Sequence, residues 1–434
     1  MAPRRRSETF DVFTTPPDLS ALSHIPAPGA RRIALRVTPA AERALRRGHP
    51  WLFDRAICQQ SHDGRPGDLA VIFDRKRRFL AVGLYDPRSS IRVRILQHRE
   101  PATIDRDWFK ARLASATRMR APLLERPPEA ATTGYRLVHG ENDGLPGLVI
   151  DRYDRTSVLK LYTPAWIPHL RDVLSTLAGI DPAERLVLRL SRALLEQPQD
   201  LHGLSDGMIL SGPDITGPII FRENGLCFEA DPVHGQKTGF FLDQRDNRAR
   251  VEKLAGGKKV LDVFAYTGGF SVYAARGGAR NILSIDASAP ALKAATRNLA
   301  LNRHIPAVAA ASHEILVENA FDVLARMKKD NRRFDMVIVD PPAFARKQAQ
   351  IAQALLAYER LTHLSLSVLQ PGGTLVQASC SSHIDAGTFF NTINRAAGQA
   401  GRPLREIERT GHALDHPITF KEGAYLKCLF ATAP

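Results

Sequence analysis

The sequence has few cysteines and no long hydrophobic run, and each absence excludes a class of protein. Its 434 residues include four cysteines, Cys58, Cys227, Cys380 and Cys428, which form no CxxC pair or Cys/His cluster at zinc-ligand spacing. No apolar run reaches the ~18 residues that span a bilayer, and the basic N-terminus is not followed by an apolar signal segment. We therefore expect a cytoplasmic protein with free thiols, no membrane partner and no bound metal.

Acidic residues are scarce relative to basic ones. The formal net charge is +15, and residues 1–120 hold 24 Lys and Arg against 12 Asp and Glu. Such an excess suits a polyanion, because each neutralised phosphate releases counterions. It suits equally well a surface on which arginine only improves solubility. The charge therefore raises nucleic acid as a partner, leaves the alternative open and indicates no chemistry.

The length predicts two or three domains, because it exceeds what one hydrophobic core usually supports. The predicted divisions are a flexible basic tail with Arg4–Arg6 (1–30), a β-rich module (31–100), a central α/β domain with a connector (101–232) and a C-terminal α/β domain (233–434). The tail shows little periodicity, whereas the module consists of short alternating segments between Gly, Pro and Asp turns.

Two segments of the β-rich module combine basic with apolar or aromatic side chains. The strand "IRVRIL" alternates Arg92 and Arg94 with apolar residues, which predicts one face of guanidinium groups and one that packs. The segment "RALRRGHPWLF" contains Arg46, Arg47 and Trp51. Arginine suits phosphate contact and an aromatic ring suits base stacking, so we predict that these three residues bind substrate.

Strands and helices alternate from about residue 235, which predicts an α/β fold with a doubly wound parallel sheet. Seven strands are predicted, at 260–264, 281–286, 306–311, 335–340, 373–379, 404–411 and 424–432. In such a sheet a ligand binds beyond the carboxyl ends of the strands. Polar residues at those ends are therefore the candidates for a site.

The first two strands of this domain supply two candidates. Asp262 lies in the first strand, and Thr267 and Gly268 form a turn in which the backbone can approach a ligand. Asp286 ends the second strand, where a carboxylate can accept both hydroxyls of a ribose. An ordinary strand-to-helix turn and a helix N-cap are the alternatives. Together the two features favour a cofactor that contains a nucleoside.

The fourth strand is followed by "DPPAF". Asp340 thus precedes a loop stiffened by Pro341 and Pro342 that also carries Phe344. A carboxylate and an aromatic ring on a rigid loop can hold a nucleobase, and a plain Pro turn is the alternative. The fifth strand ends at Cys380 within "SCSSH". A cysteine in an apolar strand is usually inert, but this position is compatible with a nucleophile.

The strings "VLDVFAYTGGFSVYAA", "SIDASAPAL", "VDPPAF" and "SCSS" resemble class I S-adenosylmethionine-dependent methyltransferases, which have a Rossmann-like seven-stranded doubly wound sheet. More closely, the chain from about residue 32 onward resembles the bacterial RlmI family, which methylates carbon 5 of cytosine in large-subunit ribosomal RNA. "RGHPWLF" resembles that family's PUA-type RNA-binding domain, and "YRLVHGENDGLPGLVIDRY" resembles its central domain. "HGQKTGFFLDQRDNR", "DHP" and "EGAYLK" resemble parts of its catalytic region.

The resemblance implies S-adenosylmethionine as cofactor and ribosomal RNA as partner, and it leaves a homodimer open. The donor-binding residues expected from it and from the strand ends are Lys237, Thr238, Gly239, Phe240, Asp262, Thr267, Gly268, Asp286, Asn319 and Asp340. Where the family often has an acidic residue to meet the adenine amino group, this chain has Asn319, whose carbonyl oxygen can also accept a hydrogen bond. The implied catalytic pair is Cys380 as nucleophile with Asp340 as its partner.

Two alternatives remain open from the sequence. Enzymes that methylate exocyclic amino groups use a loop like "DPPAF" and need no cysteine, and Cys380 favours carbon methylation over that chemistry. A non-catalytic RNA-binding protein that retains the fold is the other alternative. The presence of Asp286, Asp340 and Cys380 argues against it.

Overall fold

The computed structural model describes residues 17–345 and 347–434, and the chain forms two compact units. The first comprises the described residues up to 124 together with 135–219 and 230–239. The second comprises 125–134, 220–229 and the chain from 240 onward. Arg4–Arg6 of the predicted tail lie outside the described residues.

The N-terminal part of the first unit is a six-stranded sheet with one helix. Its elements are β1 (Ile33–Val37), α1 (Pro39–Arg46), β2 (Trp51–Phe53), β3 (Ile57–Gln60), β4 (Leu69–Phe73), β5 (Phe79–Tyr85) and β6 (Ile91–His98). The strand order is β2-β6-β5-β4-β1-β3. Helix α1 begins where Thr38 accepts a hydrogen bond from the Ala41 amide at 3.3 Å and proline occupies the first turn. The β-rich character predicted for this region is confirmed.

The predicted guanidinium face of β6 is wrong for Arg94. This side chain is buried, and its guanidinium lies 3.8 Å from the Asp86 carboxylate. Burial lowers the pKa of Arg94, and the charges of Asp86 and Glu141 oppose that shift. An arginine can be buried where carboxylates neutralise it. The alternation of the strand could not reveal these acids, because they come from other segments.

The remainder of the first unit is a five-stranded sheet with helices. Its elements are α2 (Arg106–Leu124), β7 (Gly134–His139), β8 (Leu148–Tyr153), β9 (Thr156–Leu161), α3 (Leu170–Ala178), β10 (Arg185–Leu190), α4 (Arg192–Leu195) and β11 (Ile209–Ser211). The order is β11-β10-β9-β8-β7. Leu22, from the predicted flexible tail, is 2% exposed and packs in this core as the last residue of a 3-10 turn at Ser20–Leu22. The described part of the predicted tail is therefore folded at this point.

The second unit contains a two-stranded sheet and a seven-stranded sheet with helices. Its elements are β12 (Ile219–Glu223), β13 (Leu226–Ala230), α5 (Arg245–Leu254), β14 (Lys259–Val263), α6 (Gly269–Arg276), β15 (Asn281–Asp286), α7 (Ala289–Leu301), α8 (Pro306–Ala310), β16 (Ser312–Val317), α9 (Ala320–Lys329), β17 (Phe334–Val339), α10 (Ile351–Ser367), β18 (Leu369–Ser379), α11 (Ala386–Gln399), β19 (Arg405–Thr410) and β20 (Lys427–Thr432). None of the helices in the described chain has the length and apolar character needed to cross a membrane.

The large sheet has the order β16-β15-β14-β17-β18-β20-β19. The first five strands of this order pair in parallel, whereas β20 runs antiparallel to both β18 and β19. The predicted seven-stranded doubly wound α/β sheet is confirmed, with one strand reversed. Because the strand order reverses between β14 and β17, a crevice is expected beyond the carboxyl ends of these two strands.

One predicted strand of this sheet is wrong. Residues 306–311 were expected to form the third strand, but Pro306–Ala310 is α8 and the strand is Ser312–Val317. Proline suits the first position of a helix and alanine has the highest helix propensity. The real strand lies at the sheet edge, where much of "SHEILV" is exposed, so it lacks the apolar run of a central strand.

A buried ion pair joins two of the strings that carry the family resemblance. Arg245, from "HGQKTGFFLDQRDNR", donates to Asp415, from "DHP", at 2.8 Å, and neither side chain is exposed. Burial by itself would raise the pKa of Asp415, but Arg245 and His416 hold it well below its ordinary value. Removing one partner of such a pair typically costs about 3–5 kcal/mol. These strings therefore contribute to the fold of the second unit.

Candidate functional site

The turn after β14 has a backbone conformation that ordinary residues rarely adopt. Phe264 and Tyr266 have φ values of 63° and 50°, and Gly268 has a φ of 72°. A Cβ at Gly268 would lie 2.7 Å from the Cβ of Ala295 in α7, so only glycine fits there. Left-handed non-glycine residues are costly and gather at functional sites. Thr267 and Gly268 thus lie in a strained turn at the edge where a ligand is expected.

Asp286 connects this turn to the end of β15. One of its carboxylate oxygens accepts a hydrogen bond from the Tyr266 amide at 2.9 Å, and the other accepts one from the Ser288 amide at 2.9 Å. The N-cap of α7 is Ser288, so the alternative role of Asp286 as N-cap is not the one observed. Each carboxylate oxygen keeps a further lone pair, so the group can still accept ribose hydroxyls.

Asp262, which is expected to contact the cofactor, is almost completely buried. It is 1% exposed, and one of its oxygens accepts a hydrogen bond from Ser271 at 2.6 Å. Polar contacts continue from Ser271 to Ser284 at 2.7 Å and on to His313 at 2.8 Å. Burial raises the pKa of Asp262 to about 7. This carboxyl group thus supports α6 through Ser271, and its direct contact with the cofactor stays a prediction.

Asn319 and Phe240, which are also expected to contact the methyl donor, make contacts within the second unit. The Asn319 side chain caps α9 by accepting a hydrogen bond from the Phe321 amide at 2.9 Å, with the same oxygen that was expected to meet the adenine. The Phe240 ring is 3% exposed and lies 5.1 Å from the Phe221 ring, with the Arg248 guanidinium 4.9 Å from its centre. The Phe240 ring is therefore packed in the interior, and the contacts of Asn319 and Phe240 with the methyl donor stay predictions.

Lys237, Thr238 and Gly239 belong to the first unit. Lys237 has a φ of 55° and Gly239 a φ of 133°. The Thr238 hydroxyl donates to the Asp151 carboxylate and lies 3.1 Å from the Tyr153 hydroxyl. The side chain of Thr238 is therefore engaged within its own unit. The donor contacts implied for these three residues stay predictions.

The loop that follows β17 carries Asp340. The Asp340 amide lies 3.4 Å from the carbonyl oxygen of Val263, the last residue of β14. Pro341 is buried, Pro342 is exposed, and the half-buried Phe344 ring lies 5.0 Å from the Tyr358 ring of α10. The loop is thus anchored by Pro341 and Phe344, and it holds a half-buried carboxylate beside the end of β14.

Cys380 follows the neighbouring strand β18, and its half-buried sulfur lies 4.0 Å from the Pro341 carbonyl oxygen. The serines on either side of Cys380 are held by side-chain hydrogen bonds. Ser379 accepts a hydrogen bond from the Tyr358 hydroxyl at 2.8 Å, and Ser381 donates to the Ala345 carbonyl at 2.9 Å. The structure therefore brings the thiol and the loop of Asp340 together at one edge of the sheet.

Lys427 is a residue of this region that sequence analysis assigned no role. It begins β20 opposite Ser379, is 4% exposed, and donates from Nζ to the carbonyl oxygens of Ser381, Ile384 and Tyr425. A lysine at the start of an otherwise apolar strand, "KCLFAT", was the available signal. Its position beside Cys380 depends on a strand pairing that the sequence does not specify.

The residues predicted to bind nucleic acid lie in the N-terminal part of the first unit, at the C-terminal end of α1 and on the neighbouring strand β2. Arg46 donates to Asp74 at 2.8 Å and keeps 45% of its side chain exposed. Arg47 is exposed, and the Trp51 indole donates to Glu141 at 2.9 Å. The tryptophan is thus fixed by its polar edge, and the two arginines lie at the end of α1.

A groove of about 300 Å³ lies on the six-stranded sheet of the first unit. Arg36 in β1 pairs with Gln59 on one side and with Phe73 on the other, so a guanidinium, an amide and an aromatic ring lie in one row along the groove. Arg77, in the turn after β4, completes the lining. The composition suits an anionic ligand with a flat ring.

A seven-stranded sheet with this order and one reversed strand, with a glycine turn after its first strand and an acid at the end of its second, defines the class I S-adenosylmethionine-dependent methyltransferase fold. A family model described as S-adenosylmethionine-dependent methyltransferase matches residues 159–429, and one described as a PUA-like domain matches residues 35–98. The chain belongs to the S-adenosylmethionine-dependent methyltransferase family, and its methyl donor is S-adenosylmethionine.

Several relatives match nearly the whole chain. A ribosomal RNA large subunit methyltransferase from Deinococcus radiodurans is 47% identical over 408 residues, which cover 93% of this chain and 98% of the relative. The ribosomal RNA large subunit methyltransferase I from Pseudoalteromonas translucida is 36% identical, covering 91% and 98%. A solved structure described as a SAM-dependent methyltransferase from Streptococcus mutans covers 92% of this chain and 99% of its own, with a TM-score of 0.77 at 21% identity. That structure supports the fold.

Proposed function

We propose that this protein methylates carbon 5 of a cytosine in large-subunit ribosomal RNA, with Cys380 as the nucleophile. The observation that carries the proposal is the distance of 4.0 Å between the Cys380 sulfur and the Pro341 carbonyl, in the loop that begins at Asp340. Both residues follow adjacent parallel strands, next to the turn after β14. The names of the relatives support ribosomal RNA as the substrate.

The residues at this edge fit S-adenosylmethionine. Asp286 offers carboxylate oxygens for ribose hydroxyls, and the Gly268 turn opens α6, so that backbone amides at a helix N-terminus face the edge. Asn319 is the proposed acceptor for the adenine amino group. Its side-chain oxygen already accepts one hydrogen bond from the Phe321 amide and has a second lone pair for the adenine. When bound, S-adenosylmethionine supplies an electrophilic methyl group on a sulfonium centre.

Cys380 solves the chemical problem that carbon 5 of cytosine is a poor nucleophile. Its thiolate would add to carbon 6, so that electron density moves to carbon 5; carbon 5 would bond the methyl group as the sulfonium–methyl bond breaks and a neutral thioether leaves. A base removes the proton from carbon 5, the bond between sulfur and carbon 6 breaks, and the thiolate is regenerated. The half-buried position of the thiol allows access to an unstacked base while limiting water.

Asp340 is proposed to hold the cytosine during this addition. A carboxylate within hydrogen-bonding reach of the ring favours protonation at nitrogen 3 as the adduct forms. Pro341 and Pro342 keep the loop rigid, and the packing of Phe344 on Tyr358 fixes its far end. The loop therefore positions the base before the thiol attacks.

The six-stranded sheet is proposed to hold the RNA. Its groove offers the guanidinium of Arg36, the ring of Phe73 and the exposed Arg77, a set that suits an unpaired nucleotide and its phosphate. Arg46 and Arg47 add positive charge. A target base must leave its stack to be methylated, which explains why a separate surface would hold the rest of the RNA.

Nucleoside analysis tests the proposed reaction. The protein is incubated with labelled S-adenosylmethionine and ribosomal RNA from cells that lack it, and the RNA is digested and analysed by mass spectrometry. We expect the label in 5-methylcytidine. Label in an N-methylated purine would instead support an amino-group methyltransferase, which the "DPPAF" sequence of the Asp340 loop also fits. Absence of both donor binding and label would support a non-catalytic RNA-binding role.

A further inference from the structure

Lys427 is a buried cation to which the reaction proposed above gives no role. Its Nζ donates to three backbone carbonyls, that of Ser381, that of Ile384 at 2.6 Å and that of Tyr425 at 3.1 Å. In the described part of the chain it forms no ion pair with a carboxylate. Carbonyl dipoles solvate an ammonium group but do not neutralise its charge, so a positive charge stays buried here at a cost.

Two of these carbonyls place the ammonium group against the backbone that directly follows the thiol. Two of them belong to the segment 381–384 that follows Cys380, and β20 sets Lys427 opposite Ser379, the residue before it. The backbone of Lys427 thus pairs with the residue before Cys380, and its ammonium group bonds the backbone after Cys380. Burial lowers the pKa of Lys427 to about 8, and the charges of Cys380 and Asp385 oppose that shift.

We propose that Lys427 is a positioning residue that fixes the 380–384 segment and serves as the counter-charge of the Cys380 thiolate. The proposal rests on the proposed function in one respect, that the thiol at 380 is the nucleophile. When the thiol ionises, its proton goes to solvent and the buried cation gains a neighbouring anion. A thiol beside a cation ionises at lower pH than an isolated one, which is how reactive cysteines are prepared in other settings.

The test is the pH dependence of iodoacetamide alkylation at Cys380, followed peptide by peptide with mass spectrometry. Lys427→Met removes the charge and the hydrogen bonds, Lys427→Gln keeps donors without charge, and Lys427→Arg keeps the charge. We expect the pH of half-maximal alkylation to rise by about one unit or more in the Met and Gln variants, which is roughly a tenfold loss of thiolate at neutral pH. The Arg variant should stay near wild type. Profiles of Met and Gln that coincide with wild type would overturn the proposal.

The wild-type protein provides a second measurement that requires no folded variant. Cys58 is an exposed thiol of the same chain and serves as internal reference. We expect Cys380 to react half-maximally at a lower pH than Cys58, and an equal or higher value would also overturn the proposal. The alkylation profile reports the ionisation of the Cys380 thiol whether or not catalysis uses that thiol. The proposed function is tested separately, and it fails if Cys380→Ala still methylates cytosine.

Discussion

Asp262 carries a carboxyl group whose protonation differs between the folded and the unfolded chain. Burial raises its pKa from 3.8 to about 7, and the hydrogen bond from Ser271 opposes the shift only in part. Because the pKa is higher in the folded state, the folded chain binds this proton more tightly. The contribution of this carboxyl group to the stability of the folded chain is fully present below about pH 4, and it is lost as the pH rises through about 7.

Asp262→Asn should therefore change the pH dependence of stability in one direction. The amide keeps the shape and cannot ionise, so the variant should gain stability relative to wild type as the pH rises from about 4 to 7. The full difference is on the order of 4 kcal/mol, from about three pKa units. Guanidinium unfolding of both proteins across this range measures it. Parallel curves for the two proteins would show that Asp262 does not titrate as described.

Single residues show where sequence reasoning succeeds and where it cannot. Asp286, Asp340 and Cys380 were predictable, because each ends a strand of a regular alternating pattern. The burial of Arg94 and the position of Lys427 beside Cys380 were not. Arg94 depends on acids at 86 and 141, and Lys427 depends on the register of β18 with β20, which are 48 residues apart at Ser379 and Lys427. Contacts between segments that are far apart in sequence produce no local sequence pattern from which they could be predicted.

Among the elements, the turn between β14 and α6 carries several residues with positive φ. Its positive φ values at Phe264, Tyr266 and Gly268 are held by hydrogen bonds to β15, from the Ala265 amide to Ile285 at 3.0 Å and from the Tyr266 amide to Asp286 at 2.9 Å. Since β15 lies beside β14 in the sheet, the strained turn is fixed by its neighbour. A pre-formed turn spares a ligand the cost of ordering it.

Gly268→Ala should destabilise this element strongly. The new Cβ meets Ala295 at 2.7 Å in addition to the cost of a left-handed alanine, so we expect a loss of about 1–3 kcal/mol or more and weaker donor binding. Gly398→Ala is the matched control, because a Cβ there meets nothing within 4 Å and the residue lies in α11. Scanning calorimetry should show a lower midpoint only for the first variant. Equal midpoints would mean that the turn adapts to a side chain.

The elements also show why part of the fold was hard to predict. Central strands such as β14 and β17 are largely buried on both faces, and their bounds were predicted within a residue or two. The edge strand β16 is largely exposed and resembles a polar segment, whereas "PAVAA" before it is apolar enough to resemble a strand but is α8. A pattern of apolar residues identifies strands that are buried in a sheet. An edge strand buries few side chains, so this pattern does not reveal it.

On the scale of the whole molecule, the two units divide the proposed work between RNA binding and chemistry. The described part of residues 1–120, the region where the positive charge is concentrated, belongs to the first unit, whereas the Gly268 turn, Asp340 and Cys380 belong to the second. Binding and methyl transfer should then respond differently to changes in salt and in charge. This separation gives a test that needs no knowledge of the target nucleotide.

Arg36→Gln combined with Arg77→Gln should reduce the salt dependence of RNA binding. If both arginines contact phosphates, the slope of log affinity against log salt should fall by about 1.4–1.8. Lys328→Gln with Lys329→Gln removes the same charge from an exposed part of the second unit and should leave the slope nearly unchanged. Filter-binding titrations across salt concentrations measure the slopes. Equal losses in both pairs would indicate a diffuse effect of net charge and no specific groove.

The most direct test of the central claim is to trap the covalent adduct between Cys380 and its target. RNA in which cytidine is replaced by 5-fluorocytidine has no proton at carbon 5 to lose, so the bond from sulfur to carbon 6 should persist after methyl transfer. We predict a denaturant-stable protein–RNA complex that requires S-adenosylmethionine, maps to Cys380 by peptide mass spectrometry and is absent from Cys380→Ala. An adduct at another residue, or 5-methylcytidine formed by Cys380→Ala, would contradict the account.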